Sequence, residues 1–387
     1  MIFSKDMFFT TKFIDSDPIY VKLEKAGYIK QISSGIYAYL ELFNKLLSNI
    51  CNEIGNIFKE YNISEVKMPL LQDANLWKNS GRFDIYGKGL FVTGENAEYV
   101  LSATSEEAII KLIDLLGIEE KQLPFCVYQI SERLRNELRT AYGLFRTKTF
   151  TLADCYAIVN NTNDLAHYTH IFKEIFHKIG VKFNLALHEA IHLGHNQTIS
   201  IWCNSKLNQS HPIVCKNCNN SFRNKSLITK CPICNSANVA RAVGAEIGDI
   251  ATIQQLISTK KINNTHIVTM GIGLTRLIQL IAEQKVYKNG FDWDYWYAPY
   301  KAYIVASNER RNEAQKIYDI LNSKIDALFD NRAKSIATKL IDADLIGCPY
   351  KIILGNNTCI DTVEIKRSNK MLKLKSEQVL KYILDNR

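Results

Sequence analysis

Four side chains that could bind a nucleotide lie close together between residues 128 and 154. They are two arginines, a glutamate and a phenylalanine, namely Arg135, Arg146, Glu137 and Phe150. A planar guanidinium group fits phosphate and carboxylate oxygens, a carboxylate accepts from an adenine amino group, and a phenyl face stacks on a base. Taken singly, each residue is more typical of a solvated charge or a core aromatic. Their joint pattern is what indicates a binding site.

Four cysteines form two Cys-x-x-Cys pairs with twelve residues between them: Cys215, Cys218, Cys231 and Cys234. Four thiolates at this spacing can close a tetrahedral zinc site, which then has no open position for a substrate. We therefore predict a structural zinc (Zn2+) ribbon in residues 204–238 and a reducing, cytoplasmic location. Two reduced pairs left from a lost site are the alternative for the metal. Direct nucleic-acid binding is a further role that such a ribbon could have.

The elements that must position these groups are indicated by hydrophobic periodicity. Apolar residues spaced three and four apart predict a helix over 43–61, followed by an extended segment, Glu65–Pro69. Short β-like runs at 125–130 and 155–159 enclose the arginines, which predicts a β-hairpin with a long loop. Strands joined by long excursions, with helices set apart from them, predict an α+β fold around an antiparallel sheet.

A second helix is predicted over 164–179. Thr162 or Asp164 can cap its start, and Gly180 is expected to end it. Its apolar stripe predicts packing on the sheet.

Composition limits the class of protein. The 387 residues predict two or more domains, and the hydrophobic fraction of 47% is that of a globular protein. No uncharged apolar run approaches the roughly 20 residues of a membrane helix, and no secretory cleavage site follows the first residues, so no membrane association is expected. The formal net charge of +9 suits a polyanionic partner without proving one.

The chain after residue 298 has the periodicity of a separate small α/β domain. Its predicted order is β-α-β-α-β-β-α. The predicted domains are therefore 1–203 with 239–297, the ribbon insertion 204–238, and 298–387.

Several segments together resemble the class II aminoacyl-tRNA synthetases. Arg135-x-Glu137, a loop, and then Arg146-x-x-x-Phe150-x-x-x-Asp154 resembles motif 2 of that family. The 43–61 helix with Glu65–Pro69 resembles motif 1, and the glycine-rich segment 270–278 resembles motif 3. This resemblance implies a class II catalytic domain on an antiparallel β-sheet.

Further segments are similar to the bacterial prolyl-tRNA synthetases: 26–37, 76–82, 103–107, 122–130 and 246–250. Segments 328–332, 342–349 and 363–367 resemble the family's anticodon-binding domain. The resemblance implies a proline–tRNA ligase that activates proline with ATP and loads it onto tRNA(Pro), as a homodimer through motif 1. Only 91 residues separate Asp154 from Glu246, so the family's large editing domain is not expected.

The resemblance also implies roles for residues at the nucleotide. Arg135 is expected to hold the α-phosphate and the substrate carboxylate, with Glu137 on the adenine amino group. Phe150 and Arg276 are expected on the two faces of adenine, and Arg146 on the triphosphate tail.

Other residues are implied at the metal, the amino acid and the tRNA. Glu246 is expected beside Mg2+, and Thr104 and Glu106 at the imino group of proline. Asp249 stands near the proline pocket, where the family usually has histidine. The implied anticodon-binding residues are Arg332, Glu364, Lys366 and Arg367.

Two alternatives remain open from the sequence. One is a related class II ligase for another amino acid. The other is a non-ligase paralogue with a regulatory nucleotide-binding role. Amino-acid-dependent pyrophosphate exchange discriminates between these functions.

Overall fold

A computed structural model describes residues 10–194, 198–223, 228–254, 265–287, 290–356, 358–368 and 370–387. The chain divides into two compact units. One contains the residues up to Ser33, Tyr37–Ile50 and Ala282–Arg387, and the other contains Ser34–Ile36 and Cys51–Ile281. We call them the C-terminal unit and the central unit. The domain limits predicted from the sequence remain a prediction.

The α-helices of the described residues are α1 Ile19–Lys25, α2 Glu41–Glu60, α3 Ala74–Asn79, α4 Arg82–Tyr86, α5 Glu106–Leu116, α6 Thr162–Phe183, α7 Leu274–Lys285, α8 Arg311–Asn322, α9 Ile336–Ile346 and α10 Val379–Asp385. The strands up to the ribbon are β1 Ile29–Ser33, β2 Ile36–Tyr39, β3 Ser64–Glu65, β4 Leu71–Asp73, β5 Phe91–Thr93, β6 Tyr99–Leu101, β7 Phe125–Leu134, β8 Thr149–Val159, β9 His188–His192 and β10 Ile199–Asn204. The later strands are β11 Ile213–Cys215, β12 Ser221–Arg223, β13 Val239–Arg241, β14 Gly244–Gln254, β15 His266–Gly273, β16 Val286–Tyr287, β17 Gly290–Phe291, β18 Ala302–Ala306, β19 Ala327–Phe329, β20 Tyr350–Leu354, β21 Thr362–Arg367 and β22 Lys370–Lys375.

A large, mostly antiparallel sheet forms the centre of the central unit. Within the described residues its order is β13-β11-β12-β9-β10-β14-β15-β8-β7-β3. β7 and β8 form the predicted long hairpin, in which Arg133 lies opposite Phe150 and Gln129 opposite Asp154. β15 continues the sheet beside β8 and then runs directly into α7, as the motif 3 pattern predicts. The α+β class is confirmed.

The helices predicted over 43–61 and 164–179 are both present, and their ends differ from the prediction. α2 spans Glu41–Glu60, close to the predicted 43–61. α6 begins after Asn161, whose side chain accepts from the backbone N–H of Asp164 at 2.8 Å, so Asn161 is the N-cap. Gly180 does not end α6, which continues to Phe183 and ends at Asn184 in the left-handed region. Gly180 instead allows close packing, since a Cβ there would lie 2.9 Å from the carbonyl oxygen of Leu185.

The ribbon strands extend the large sheet and are not a separate appendage. β12 pairs in parallel with β9, where Phe222 lies opposite Ile191 and Arg223 opposite His192. β11 then pairs with β12 and β13 on its two sides. Residues 224–227 of the predicted ribbon lie outside the described residues.

The C-terminal unit contains a mixed sheet of order β19-β18-β20-β21-β22. β18 pairs in parallel with β19 and β20, and β21 pairs antiparallel with β20 and β22. The predicted order of elements omitted β22, because its alternation of lysines with Met371, Leu372 and Leu374 resembles a charged loop. α9 begins at the N-cap Ser335 and ends at Gly347, whose φ of 78° requires glycine.

None of the helices in the described part of the chain is both long and apolar enough to cross a membrane.

Candidate active site

A cavity of about 330 Å³ lies on one face of β8, β14 and β15 in the central unit. It brings together most of the side chains that the sequence assigned to substrate binding. These are Thr104, Glu106, Arg135, Phe150, Glu246, Asp249 and Arg276. Residues that are far apart in the sequence meet here because the antiparallel strands place the hairpin beside the glycine-rich strand β15.

Arg135 lies over the face of Phe150. Its guanidinium carbon is 5.2 Å from the ring centroid, and its Nε donates to the carbonyl oxygen of Ala103 at 3.0 Å. The backbone N–H of Arg135 donates to Lys148 O at 2.9 Å, which continues the hairpin past its last paired strand residues. Both side chains therefore have a fixed position at the cavity wall, with an aromatic face and a guanidinium group adjacent.

Arg276, in the first turn of α7, enters the same cavity. Its Nε donates to Phe145 O at 3.1 Å and its Nη1 to Glu246 O at 3.3 Å. Burial, and then the charge of Arg135, lower the pKa of Arg276 to about 10. The side chain still carries its charge at neutral pH, in surroundings where anionic oxygens would bind it strongly.

Glu106 opens α5 at another wall of the cavity. Its carboxylate accepts from the Thr104 hydroxyl and lies 3.2 Å from Nη1 of Arg82. Burial opposes the charged form, but the charge of Arg82 and the Thr104 hydrogen bond outweigh it, so the pKa of Glu106 is lowered. An ionised carboxylate at this position is suited to bind a cationic amine or imine group.

Arg82 was not among the residues predicted for the site. It also binds Glu107, with 2.9 Å between Nη1 and Oε1, and donates to the Tyr86 hydroxyl at 3.3 Å. Its side chain is 13% exposed. The sequence contains a signal for it, since two adjacent glutamates at the start of a buried helix require a cationic partner.

Asp249 lies on β14 opposite Gly271 of β15. Burial raises the pKa of its carboxyl group, while the charges of Arg135 and Arg276 act in the opposite direction. This carboxyl group is thus close enough to both arginines to interact with them, as expected for a residue inside the pocket.

A buried ion pair that the sequence did not predict reaches the cavity wall through Asp154. Nη2 of Arg133 lies 2.7 Å from Oδ2 of Asp154, to which the Tyr156 hydroxyl also donates at 2.7 Å. The same Tyr156 oxygen accepts from the backbone N–H of Ser105 at 3.2 Å, next to the Thr104 loop. An aspartate inside the apolar run of β8 is the signal that could have found it, because such a carboxylate needs a charged partner.

The remaining two nucleotide candidates lie outside the lining of the cavity. Glu137 accepts from the backbone N–H of Arg139 at 2.8 Å, within the loop of the hairpin. Arg146 follows a short 3-10 helix, Gly143–Phe145, and its charge contributes to the lowered pKa of Arg276. Both are therefore near the site without forming its wall.

The side chains of the four cysteines in the two Cys-x-x-Cys pairs lie close together. Their sulfur atoms all lie within 4.8 Å of one another, and the Sγ pairs Cys215–Cys234 and Cys218–Cys231 are 3.6 Å apart. A tetrahedron with Zn–S bonds of about 2.3 Å has edges of about 3.8 Å. Two similar turns build the cluster, since the backbone N–H groups of Asn219 and Asn235 donate to Cys215 O and Cys231 O at 2.9 Å. The donor set and its dimensions fit zinc.

The predicted anticodon residues have different surroundings in the C-terminal unit. Arg332 is 9% exposed and lies 2.6 Å from carboxylate oxygens of both Asp330 and Asp342. Arg367 donates to the Tyr350 hydroxyl at 2.7 Å. These contacts favour a structural role for both arginines.

Glu364 and Lys366 alternate with the buried residues Val363 and Ile365 on β21. Their side chains therefore share the other face of that strand. Glu364 lies 3.7 Å from Nζ of Lys373 on β22 and keeps 23% of its side chain exposed. Among the predicted anticodon residues, Glu364 is therefore more accessible than Arg332.

Two family models match the chain. The "tRNA synthetase class II core domain (G, H, P, S and T)" matches residues 91–285, and the "Anticodon binding domain" matches residues 301–386. The first includes all of the cavity residues except Arg82 and Tyr86.

Curated relatives match over nearly their whole length. The proline–tRNA ligase of Ehrlichia ruminantium (strain Gardel) is 30% identical over 395 residues, covering 92% of each chain. That of Ehrlichia canis (strain Jake) is 31% identical over 394 residues, covering 92% of this chain and 93% of the relative.

A solved structure of similar fold is the Cryptosporidium parvum prolyl-tRNA synthetase complexed with L-proline and AMP. It has a TM-score of 0.71 at 12% identity and covers 95% of this chain and 74% of its own. A structure named as the RNA binding domain of threonyl-tRNA synthetase from Cryptosporidium parvum Iowa II has a TM-score of 0.74 at 15% identity. It covers 95% of this chain and 98% of its own. At these identities the similarity concerns the fold.

Proposed function

This chain belongs to the proline–tRNA ligases of the class II synthetases, and from that premise we propose that its central cavity joins proline to AMP. The observation that carries the proposal is the meeting of Arg135, Arg276 and the ionised Glu106 in one cavity. Two guanidinium groups suit the phosphates and the amino-acid carboxylate, and Glu106 suits the cationic imino group of proline. ATP is a substrate here and not a resident cofactor.

The chemical step that these residues would support is a direct displacement. A carboxylate oxygen of proline attacks the α-phosphorus of ATP, the bond to the β-phosphate oxygen breaks, and pyrophosphate leaves. Negative charge builds up on the α-phosphate oxygens, where Arg135 stabilises it. Thr104 and Glu106 hold the imino group so that the carboxylate points toward the phosphorus. The 3′-terminal hydroxyl of tRNA then attacks the acyl carbon, forming prolyl-tRNA and releasing AMP.

The nucleotide is assigned to the opposite part of the cavity. We assign adenine to the space between the ring of Phe150 and Arg276, with its amino group toward Glu137. Arg146 and Arg276 are assigned to the β- and γ-phosphates. Asp249 is assigned to the amino-acid side of the pocket, where its contacts with Arg135 and Arg276 are electrostatic.

The two metal ions are assigned from the chemistry of the ligand atoms that each one prefers. Mg2+ prefers carboxylate and phosphate oxygens and is usually bound through one or two carboxylates plus substrate phosphates, so Glu246 is the residue that would hold it. The positive charge of Mg2+ would neutralise the phosphates. Zinc is assigned to the four cysteines, where it stabilises the ribbon and takes no part in the chemical step.

The tRNA partner, the assembly and the location are further parts of the proposal. The anticodon-binding domain selects tRNA(Pro), with Glu364 accepting from base edges and Lys366 near the phosphates. We expect a homodimer through motif 1, with Pro69 at the interface, and light scattering should give twice the chain mass of 44.2 kDa. A monomer at micromolar concentration would contradict it. The reduced cysteines agree with a cytoplasmic location.

The activity is tested by proline-dependent pyrophosphate exchange, run across all twenty amino acids. We expect exchange with proline, and a loss of about a hundredfold or more in Arg135→Ala, because one donor to the developing charge is removed. Arg139→Ala is the matched control, since Arg139 is an exposed arginine of the same hairpin loop. Exchange with a different amino acid would change the assigned substrate, and normal exchange in Arg135→Ala would remove the site assignment.

The metal is tested by elemental analysis of gently purified protein. We expect one zinc per chain, retained in Cys51→Ser and lost in Cys218→Ser, because Cys51 lies outside the cluster. Absence of zinc from the unmodified protein would refute the assignment.

A further inference from the structure

The ribbon places one arginine beside Glu246, a residue that lines the cavity. Arg223 is the last residue of β12, opposite His192 of β9, and its carbonyl oxygen accepts from the backbone N–H of Leu193 at 3.0 Å. β9 pairs with β10, and β10 pairs with β14, where Trp202 lies opposite Glu246. The position of Arg223 relative to Glu246 is therefore set by continuous strand pairing from β12 through β9 and β10 to β14.

The side chain of Arg223 forms an ion pair with the carboxylate of Glu246. Its Nη1 also lies 3.5 Å from the Ser200 hydroxyl. Arg223 and Glu246 keep 32% and 20% of their side chains exposed, so the pair lies at the edge of the cavity and not in the core. A guanidinium group has five N–H donors. Among the described residues these two acceptors leave donors of Arg223 for another anion.

Arginine side chains approach Glu246 from two parts of the chain. The carbonyl oxygen of Glu246 accepts from Arg276, so two arginines from different parts of the chain reach the same residue. The charge of Arg146 acts on both Arg223 and Arg276, so these three guanidinium groups lie near one another. A polyanion is suited to bind several of them together, and a triphosphate is the polyanion of this reaction.

We propose that Arg223 is a further nucleotide-binding residue, supplied by the zinc ribbon, which binds the β- and γ-phosphates of ATP and otherwise neutralises Glu246. This inference rests on the proposed function of the cavity and adds a residue from outside the three class II motifs. It also gives the ribbon a role in substrate binding: the cysteine cluster holds the strand that carries Arg223. The ribbon then contributes to ATP affinity without any contact between zinc and substrate.

The test compares ATP with AMP, which lacks the two outer phosphates. In calorimetric titrations of the zinc-loaded protein, Arg223→Ala should weaken ATP binding about 10- to 100-fold, because a hydrogen bond to a charged group contributes about 1.5–3 kcal/mol. AMP binding should be unchanged. Arg241→Ala, which removes an exposed arginine from β13, the strand paired with β11 of the ribbon, is the control and should bind both nucleotides normally. Arg223→Gln provides a second variant with a side chain that still forms hydrogen bonds, and zinc content verifies that each ribbon is intact.

A double variant separates phosphate binding from mere neutralisation of Glu246. If Arg223 only neutralised that carboxylate, Arg223→Ala combined with Glu246→Gln would bind ATP as well as Glu246→Gln alone. We expect the double variant to bind ATP at least tenfold more weakly than that single variant. Equal affinity, or equal loss of ATP and AMP in Arg223→Ala, would overturn the inference. Absent proline-dependent exchange in the unmodified protein would instead refute the proposed function, so the two failures are distinguishable.

Discussion

Arg82 pairs with two buried glutamates whose pKa values are shifted in opposite directions. Its charge helps to keep Glu106 ionised, with a lowered pKa, whereas burial raises the pKa of Glu107 although Arg82 lies 2.9 Å away. The same guanidinium group lies over the rings of Trp77 and Tyr86, at 5.6 Å and 5.4 Å from their centroids. Arg82 thus maintains the charge of Glu106, which the proposed function assigns to the imino group of proline, without being predicted to touch the substrate itself.

Replacing Arg82 with methionine keeps much of the stem and removes the charge. We expect the free energy of unfolding to fall by about 3–5 kcal/mol near neutral pH, because a buried pair loses one partner. In the native protein the lowered pKa of Glu106 contributes stability above its unfolded pKa, and this contribution is lost as pH falls through the folded pKa. In the variant the pKa values of both glutamates should be raised, so protonation relieves the defect. Urea unfolding should therefore show the difference narrowing from about pH 7 to about pH 4.5.

Arg139→Met is the control for that change, because Arg139 is exposed in the hairpin loop. It should unfold like the native protein at both pH values. A difference between Arg82→Met and the native protein that does not change with pH would contradict the proposed ionisation of Glu106.

Single residues differ in how far the sequence reveals them. Arg135, Phe150 and Arg276 were predicted because they lie within motifs that are contiguous in the sequence. Arg82, Arg133 and Arg223 were not, because each pairs with a carboxylate on another element, 21 to 24 residues further along the chain. Buried carboxylates indicate that a partner must exist without identifying it.

At the scale of elements, the glycines of β14 and β15 decide how closely the strands and the substrate approach. A Cβ added to Gly248 would lie 2.0 Å from the carbonyl oxygen of Gly271 on the neighbouring strand. A Cβ on Gly271 would meet its nearest neighbour, Oδ1 of Asp249, at 3.5 Å, which is ordinary contact. Gly248 is thus needed for strand packing, whereas Gly271, which has no side chain, leaves space open in the cavity.

These two glycines should separate stability from binding. Gly248→Ala should lower the free energy of unfolding by about 1–3 kcal/mol, because backbone atoms must shift. Gly271→Val should retain nearly native stability, since valine is favourable in strands, and should raise the KM values for ATP and proline in exchange at least tenfold. Thermal unfolding and exchange kinetics check both. Normal substrate affinity in Gly271→Val would show that this face of β15 does not form the substrate site.

Element prediction was most accurate where periodicity was strong and least accurate where pairing was non-local. The hairpin β7–β8 and α2 follow from short β-like runs and helical spacing, whereas the passage from β15 into α7 was expected from the resemblance to motif 3. The parallel pairing of β12 with β9 could not be predicted, because a three-residue strand has no distinctive pattern and the paired residues are 31 positions apart in sequence. The composition predicted an insertion at 204–238, and its limits remain a prediction, but the attachment of its strands to the large sheet was not visible in the sequence.

At the scale of the whole molecule, the two family models assign different tasks to different parts of the chain. The core model covers the residues that would form prolyl-adenylate, and the anticodon model covers residues 301–386. Adenylate formation needs only ATP and proline, so pyrophosphate exchange reports on the core alone. Charging of tRNA needs both parts. A change in the C-terminal unit that affects recognition should therefore alter charging and leave exchange intact.

Glu364→Ala provides that test, because the side chain is on the partly exposed face of β21 and, among the described residues, its one ion pair is a long one of 3.7 Å to Lys373. We expect the KM for tRNA(Pro) to rise about tenfold or more, since a carboxylate that accepts from a guanine edge contributes about 1–3 kcal/mol of discrimination. Pyrophosphate exchange should stay at the native rate. Glu377→Ala, at another exposed glutamate of the same unit, is the control and should charge normally. Lys366→Ala should instead weaken binding of every tRNA alike and reduce its salt dependence, because it removes a phosphate contact. If Glu364→Ala charges tRNA(Pro) normally and discriminates against other tRNAs as well as the native protein does, Glu364 does not read the anticodon.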